Sequence, residues 1–263
     1  MSGDHEEFHG RPVAVFGAAS GIGRGTALAF AARGAKVAVF DVNAGPLDGF
    51  ADELRAAGAA QALTAAADVR DSASVGSALQ QAASELGGLD HLVFTAGILR
   101  VGQLADMAEQ EFDDVFAVNM RGFWITVRAA LPLLQAGPGR RRAITALSSA
   151  AAIRPKASSG AYAASKVALS HLVRVFAVEL ASTGITVNAI APATVDTPMV
   201  APFMGQTAAN HGYRLTGTSP MGRIAQPEDI AGACLFLSSA ASSYITGVTL
   251  PVDGGSTAGL PAS

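Results

Sequence analysis

Short apolar runs and helical patterns alternate from one end of this 263-residue chain to the other, and that alternation limits its fold more than any other feature. Seven runs of strand length occur at 13–17, 36–41, 62–68, 89–97, 142–149, 185–192 and 247–255. They are rich in Val, Ile and Ala and stop at Gly, Asp, Pro or Ser. Runs that are apolar at consecutive positions describe strands buried on both faces. Helical patterns lie between them, at 22–33, 44–57, 71–87, 108–136, 160–183 and 227–238. Such alternation implies parallel strands joined by helical crossovers. The expectation is a single α/β domain over 1–263, a doubly wound seven-stranded parallel sheet with helices on both faces.

Composition narrows the function. Half of the residues are hydrophobic, 15% are charged and the net charge is −3. No basic stripe is present, which argues against nucleic acid and an anionic membrane surface as partners. Cys234 is the one cysteine, so no disulfide or cysteine metal cluster forms within the chain. The five histidines have no metal-ligand spacing, and no metal is expected. Residues 1–10 are polar and acidic, and read as a mobile terminus rather than a signal peptide. No apolar run approaches the roughly 20 residues of a membrane span. A soluble cytoplasmic protein is expected.

The first strand leads into GAASGIGRG, which sets Gly17, Gly21 and Gly23 at a strand-to-helix turn. Glycines there admit a phosphate, and the helix N-terminus offers it free N–H groups. Asp41 ends the second strand, 20 residues after Gly21. Its carboxylate is placed to accept from the adenosine ribose hydroxyls and to repel a 2′-phosphate. Ser20 is not basic either, and both features favour NAD over NADP. Asp68 and Val69 follow the third strand, where an adenine edge would lie. Thr95, Ala96 and Gly97 end the fourth and bring bare backbone towards the same ligand.

Tyr162 and Lys166 stand four residues apart in SGAYAASKVAL, on one face of a helix. Taken alone, they read as an ordinary surface pair. With a cofactor site nearby they read as chemistry, because an adjacent cation favours the phenolate and readies the phenol for proton transfer.

Ser149 precedes Tyr162 by thirteen residues, and here the chain resembles the short-chain dehydrogenase/reductase family. The matching motifs span nearly the whole sequence: GAASGIG, TAG at 95–97, Val118-Asn119, Ser149 with YAASK, PATVDTPM and VDGG. The resemblance implies a Rossmann-type domain that binds NAD and moves hydride between an alcohol or ketone and the nicotinamide. It implies Tyr162 as the acid/base and Lys166 as its electrostatic partner and ligand of the nicotinamide ribose. Ser149 would bond the substrate oxygen, and Asn119 would hold a water linking Lys166 to solvent. It further implies cofactor contacts from Ile22, Pro192, Val195 and Thr197. Phe16, Phe94 and Ala193 depart from the family's usual Thr, Asn and Gly, which puts local hydrogen bonds near the cofactor in question. The resemblance also implies a homotetramer, packed through 108–136 with 160–183 and through 227–238 with the last strand.

The substrate is expected to be a small cyclic alcohol or ketone. AGILRVG at 96–102 resembles the subgroup that oxidises 2,3-dihydro-2,3-dihydroxybenzoate. A 3-oxoacyl carrier-protein reductase and an inactive scaffold or regulator are the alternatives. Residues 198–221 read as a loop covering the substrate, with Met199, Phe203 and Met204 over a ring. Arg214 and Arg100 are the rival partners for a ring carboxylate, and each also reads as a solvated charge.

Overall fold

The computed structural model describes residues 7–136, 140–203 and 218–259. Seven strands form one sheet: β1 Pro12–Phe16, β2 Lys36–Asp41, β3 Gln61–Ala66, β4 His91–Phe94, β5 Arg142–Leu147, β6 Ile185–Pro192 and β7 Thr249–Val252. All neighbours are parallel, in the order β3-β2-β1-β4-β5-β6-β7. The order reverses between β1 and β4, so a crevice opens at their carboxyl ends. The helices are α1 Gly21–Ala31, α2 Phe50–Ala56, α3 Ser72–Leu86, α4 Glu109–Phe116, α5 Gly122–Ala136, α6 Gly160–Leu180 and α7 Pro227–Ser238.

Alternate strand residues feed two cores. Ala14, Phe16 and Phe94 point to the face covered by α3, α5 and α6, where Val75, Leu79, Phe123, Leu169 and Val173 meet them. Val13, Val15 and Val93 point to the other face, against Phe30 of α1, Leu54 of α2 and Ile230 of α7. Rings link the layers: Phe16 lies 4.8 Å from Phe40, Phe94 5.5 Å from Phe123, and Phe123 6.0 Å from Phe176. Each such buried ring stabilises the fold by about 2 kcal/mol.

Several expected boundaries shift, each for a local reason. The pattern at 44–57 splits into a 3-10 turn, Gly45–Leu47, and α2, because Gly49 takes a left-handed conformation (φ 73°) between them. The pattern at 108–136 is interrupted by a π turn at Ala117–Arg121, which carries Asn119. The runs at 89–97 and 142–149 keep only His91–Phe94 and Arg142–Leu147 as strand. Their last residues leave the ladder to line the crevice.

Helix α6 with its 3-10 extension, Gly160–Thr183, is long and apolar enough to cross a membrane by length and composition, contrary to the sequence expectation. Its apolar residues include Leu169, Val173 and Ala177, which pack into the core. Among the large aromatics on α5, α6 and α7, Phe176 is core, whereas Trp124 and Phe236 are 37% and 41% exposed.

Candidate active site

The glycine turn is built by the protein's own packing. Gly17 has φ 83°, and a Cβ there would lie 2.4 Å from Ala96 N. A Cβ on Gly23 would lie 2.2 Å from Gly17 O. Thr95 locks the same turn, its hydroxyl donating to Phe16 O at 2.6 Å and Gly17 O at 3.0 Å. Phosphate approach is not needed to explain two of these glycines: Thr95 and Ala96 just past β4, together with Gly17 O, already exclude a Cβ at Gly17 and Gly23. Gly21 has φ 53°, and a Cβ there would meet Thr197 Cγ2 at 2.9 Å. Thr197 therefore lies across the start of α1, its hydroxyl turned to Val195 O at 3.3 Å.

A groove of about 400 Å³ runs along this turn, bordered by Gly17, Ser20, Gly21, Ile22, Gly23, Asp41, Asp68, Val69, Thr95, Ala96, Gly97 and Thr197. Ser20 precedes α1 in extended conformation and its side chain caps nothing, which leaves the first-turn N–H groups to a ligand. Asp41 is fixed by two amides, Ala19 N–H on Oδ2 and Asn43 N–H on Oδ1, each at 3.0 Å. Asp68 is held by the Arg70 guanidinium at 2.6 Å, which keeps its carboxyl below the usual range. The donor set fits a dinucleotide: open amides for a diphosphate, a fixed carboxylate for ribose hydroxyls, and bare backbone at Gly97.

At the other end of the crevice, β5 delivers Ser148 and Ser149 and α6 delivers Tyr162 and Lys166. The Lys166 side chain is only 3% exposed, and Nζ donates to Leu147 O at 2.8 Å. Burial pushes its pKa down to about 8. Nζ sits 5.8 Å from the centre of the Tyr162 ring. Ser149 Oγ accepts from Ala151 N–H at 3.1 Å and so starts the 3-10 turn at Ala150–Ala152. Asn119 is fully buried and bonded to the backbone of Ile98 and to Ser165 Oγ. A Cβ on Gly97 would lie 3.3 Å from both Asn119 Oδ1 and Lys166 Nζ, so all three groups converge.

Ser149 and Tyr162 border a second pocket of about 360 Å³, and Met199 borders both this pocket and the groove. The remaining residues singled out from sequence lie at the following positions. Pro192, expected on the cofactor, borders the second pocket. Arg100, expected near substrate, is exposed and borders the groove. Val195 is buried and pairs with Ala225. Phe203 ends a 3-10 turn, Ala201–Phe203, outside both linings. Met204 and Arg214 lie outside the described residues. Sequence reasoning missed Arg154, Lys156, Thr194, Ser256 and Thr257, which border the second pocket. The signal available was position: Arg154 and Lys156 fall inside the Ser149–Tyr162 interval.

A family model described as enoyl-(acyl carrier protein) reductase matches residues 17–257. A 2,5-dichloro-2,5-cyclohexadiene-1,4-diol dehydrogenase from Sphingobium indicum is 36% identical over 252 residues, 95% of this chain and 98% of the relative. A cis-4-hydroxycyclohexanecarboxylate dehydrogenase from Sinomonas cyclohexanicum is 40% identical over 255 residues, 96% of this chain and 99% of the relative. The crystal structure of a short chain dehydrogenase from Mycobacterium paratuberculosis bound to NAD has a TM-score of 0.89 at 32% identity, covering 96% of this chain and 100% of that one. Agreement of sequence and fold over nearly the full length makes this chain a member of the short-chain dehydrogenase/reductase family.

Proposed function

We propose that the chain is an NAD-dependent oxidoreductase that oxidises a secondary alcohol on a six-membered ring, either a cyclic alcohol or a dihydrodiol. The observation that carries this reading is the Tyr162–Lys166 pair, Tyr162 bordering the small pocket and Lys166 Nζ lying next to Gly97 at the end of the groove. The relatives support the ring: one is named for a cyclohexadiene diol and the other for a hydroxycyclohexane acid. Their names broaden the substrate beyond the dihydroxybenzoate type expected from AGILRVG. The NAD-bound relative and the fixed Asp41 carboxylate support NAD.

Tyr162 takes the hydroxyl proton of the alcohol, and Ser149 donates to the same oxygen as negative charge develops on it. Lys166 favours the phenolate electrostatically and offers its remaining N–H donors to a ribose hydroxyl. Asn119 orders the relay that returns the proton to solvent. NAD, held along Gly17–Gly23, Asp41 and Thr197, supplies the hydride acceptor. Met199, between groove and pocket, excludes water from the meeting point. A cytoplasmic homotetramer belongs to the same reading, with exposed Trp124 on α5 and Phe236 on α7 as candidate contacts.

The test is a panel of a hydroxycyclohexane, a cis-dihydrodiol, a linear secondary alcohol and a 3-oxoacyl thioester, each with NAD and NADP, followed by reduced-cofactor absorbance. Ring alcohols should turn over with NAD. Turnover confined to the thioester would favour the carrier-protein reductase instead, and no cofactor-dependent turnover at all would leave a non-enzymatic family member.

A further inference from the structure

The two halves of the crevice differ in charge. Asp41, Asp68 and Asp114 border the groove together with Arg70 and Arg100, so carboxylates slightly outnumber cations there. The second pocket is bordered by Arg154 and Lys156, and no Asp or Glu is among its described lining residues. Arg154 is exposed and Lys156 half-buried, so the cations run from the rim inwards. Burial and the Arg154 charge both push the Lys156 pKa down. Two like charges beside a small pocket raise each other's energy, and an anion between them reverses that.

The loop that carries them is anchored. Arg154 N–H donates to Ala150 O at 2.8 Å, and Ser159 Oγ donates to Lys156 O at 3.1 Å. Ser158 has φ 63°, the one non-glycine residue in the left-handed region among the described residues. Its carbonyl is held by Gly102 N–H at 2.9 Å. A backbone in that conformation persists only where its surroundings fix it. The same segment runs from Ser149 to the start of α6, two residues before Tyr162, and both cations share the pocket of the proposed reacting groups.

We propose that Arg154 and Lys156 form an anion subsite that selects ring alcohols bearing a carboxylate, the ring lying in the pocket between this pair and Ser149–Tyr162. This inference rests on the ring-alcohol reading above and names the substrate class within it. Arginine grips a carboxylate bidentately and lysine adds a second charge. The specificity-determining pair would therefore act on both KM and binding.

The experiment compares kcat/KM for cis-4-hydroxycyclohexanecarboxylate and its methyl ester. The wild type should favour the acid by at least about tenfold, the effect of one charge-assisted contact. The double variant R154Q/K156Q should bring that ratio to about one, while R55Q, a cation removed from exposed α2, should leave it unchanged. Calorimetry on the NADH-saturated protein supplies a second readout, with cyclohexanecarboxylate, cyclohexanecarboxamide and inorganic phosphate as probes. The carboxylate should bind at least about tenfold tighter than the amide in the wild type alone. Equal binding of acid and amide, a ratio unaltered in the double variant, or phosphate competing as well as the ring acid would overturn the subsite. Turnover of ring alcohols without charge preference would sink the subsite and spare the oxidoreductase reading. Charge-selective binding without turnover would do the reverse.

Discussion

Asn119 grips the backbone of Ile98 with both arms of its amide: Oδ1 accepts from Ile98 N–H at 2.8 Å, and Nδ2 donates to Ile98 O at 3.1 Å. The same Nδ2 donates to Ser165 Oγ at 3.0 Å, and that hydroxyl donates to Tyr162 O at 2.7 Å. The segment leaving β4 is thus tied to α6, and the groove wall to the Tyr162–Lys166 pair. The π turn supplies the buried position from which one side chain reaches both.

Asn119→Leu keeps the volume and removes every one of these bonds. Ile98 N–H, Ile98 O and the Ser165 hydroxyl would lose their Asn119 contacts, at about 1–3 kcal/mol for each group left buried without a partner. We expect the denaturant midpoint to drop by the equivalent of about 3 kcal/mol, and the residual folded enzyme to lose kcat as well. A stability change under about 0.5 kcal/mol would show that the clamp is dispensable.

The middle of the sheet is legible because β1, β2, β4, β5 and β6 are buried on both faces and read as unbroken apolar runs, whereas the edge strands β3 and β7 are partly exposed. Lys36–Asp41, Ile185–Pro192 and the helix Pro227–Ser238 appear with the expected ends. Thr95–Gly97 and Ser148–Ser149 were overextended into strand because leaving a ladder changes hydrogen bonding, not residue type. The π turn is invisible for a similar reason: one extra residue per turn hardly disturbs a helical pattern about eight turns long. Gly17 and Gly23 are visible as a motif, but what excludes a Cβ there is set by the fold: Thr95 and Ala96 just past β4 for Gly17, and Gly17 O with the Thr95 hydroxyl for Gly23. Arg154 and Lys156 carry no motif of their own, and only the fold turns the Ser149–Tyr162 interval into a pocket lining.

Tyr162→Phe should cut kcat by at least about a hundredfold while NAD binding stays within about twofold, since it removes one proton-transfer group and little packing. Stopped-flow turnover and NAD titration by intrinsic fluorescence measure the two separately. Retention of more than about a tenth of wild-type kcat would remove Tyr162 from the acid/base role.

Asp41 carries two tasks that substitution can separate. Its carboxylate holds Ala19 N–H and Asn43 N–H as well as facing the groove. Asp41→Asn retains an oxygen acceptor and loses the charge, whereas Asp41→Ser shortens the side chain away from both amides. NADP should improve by about tenfold relative to NAD in both variants, from lost repulsion. Both should lower the unfolding midpoint, Asp41→Ser by more, because Asn keeps an accepting oxygen for only one of the two N–H groups. A wild type that prefers NADP would contradict the assignment outright.

His91 should make the protein acid-labile. Its side chain is 1% exposed, between the Phe8 ring at 5.7 Å and the Phe30 ring at 6.3 Å, and Nδ1 has no hydrogen-bond partner among the described residues. Burial first, then the Arg11 and Arg141 charges, push its pKa down to about 3 from the usual 6.5. In the unfolded chain the imidazole takes up a proton near pH 6.5; in the folded protein it stays neutral until about pH 3. Between those limits the unfolded state binds more protons, so stability falls as pH falls. The slope is about 1.4 kcal/mol per pH unit, or roughly 2 kcal/mol lost between neutrality and about pH 5. His91→Leu removes the titration and leaves the other ionisable groups in place. Its absolute stability shifts through packing, so the quantity to compare is the change from about pH 8 to about pH 5, obtained from urea unfolding at both. The variant should lose about 2 kcal/mol less than the wild type over that range. Parallel pH dependences in the two proteins would mean that His91 is charged or solvated in the folded state, and the buried neutral imidazole between Phe8 and Phe30 would have to be abandoned.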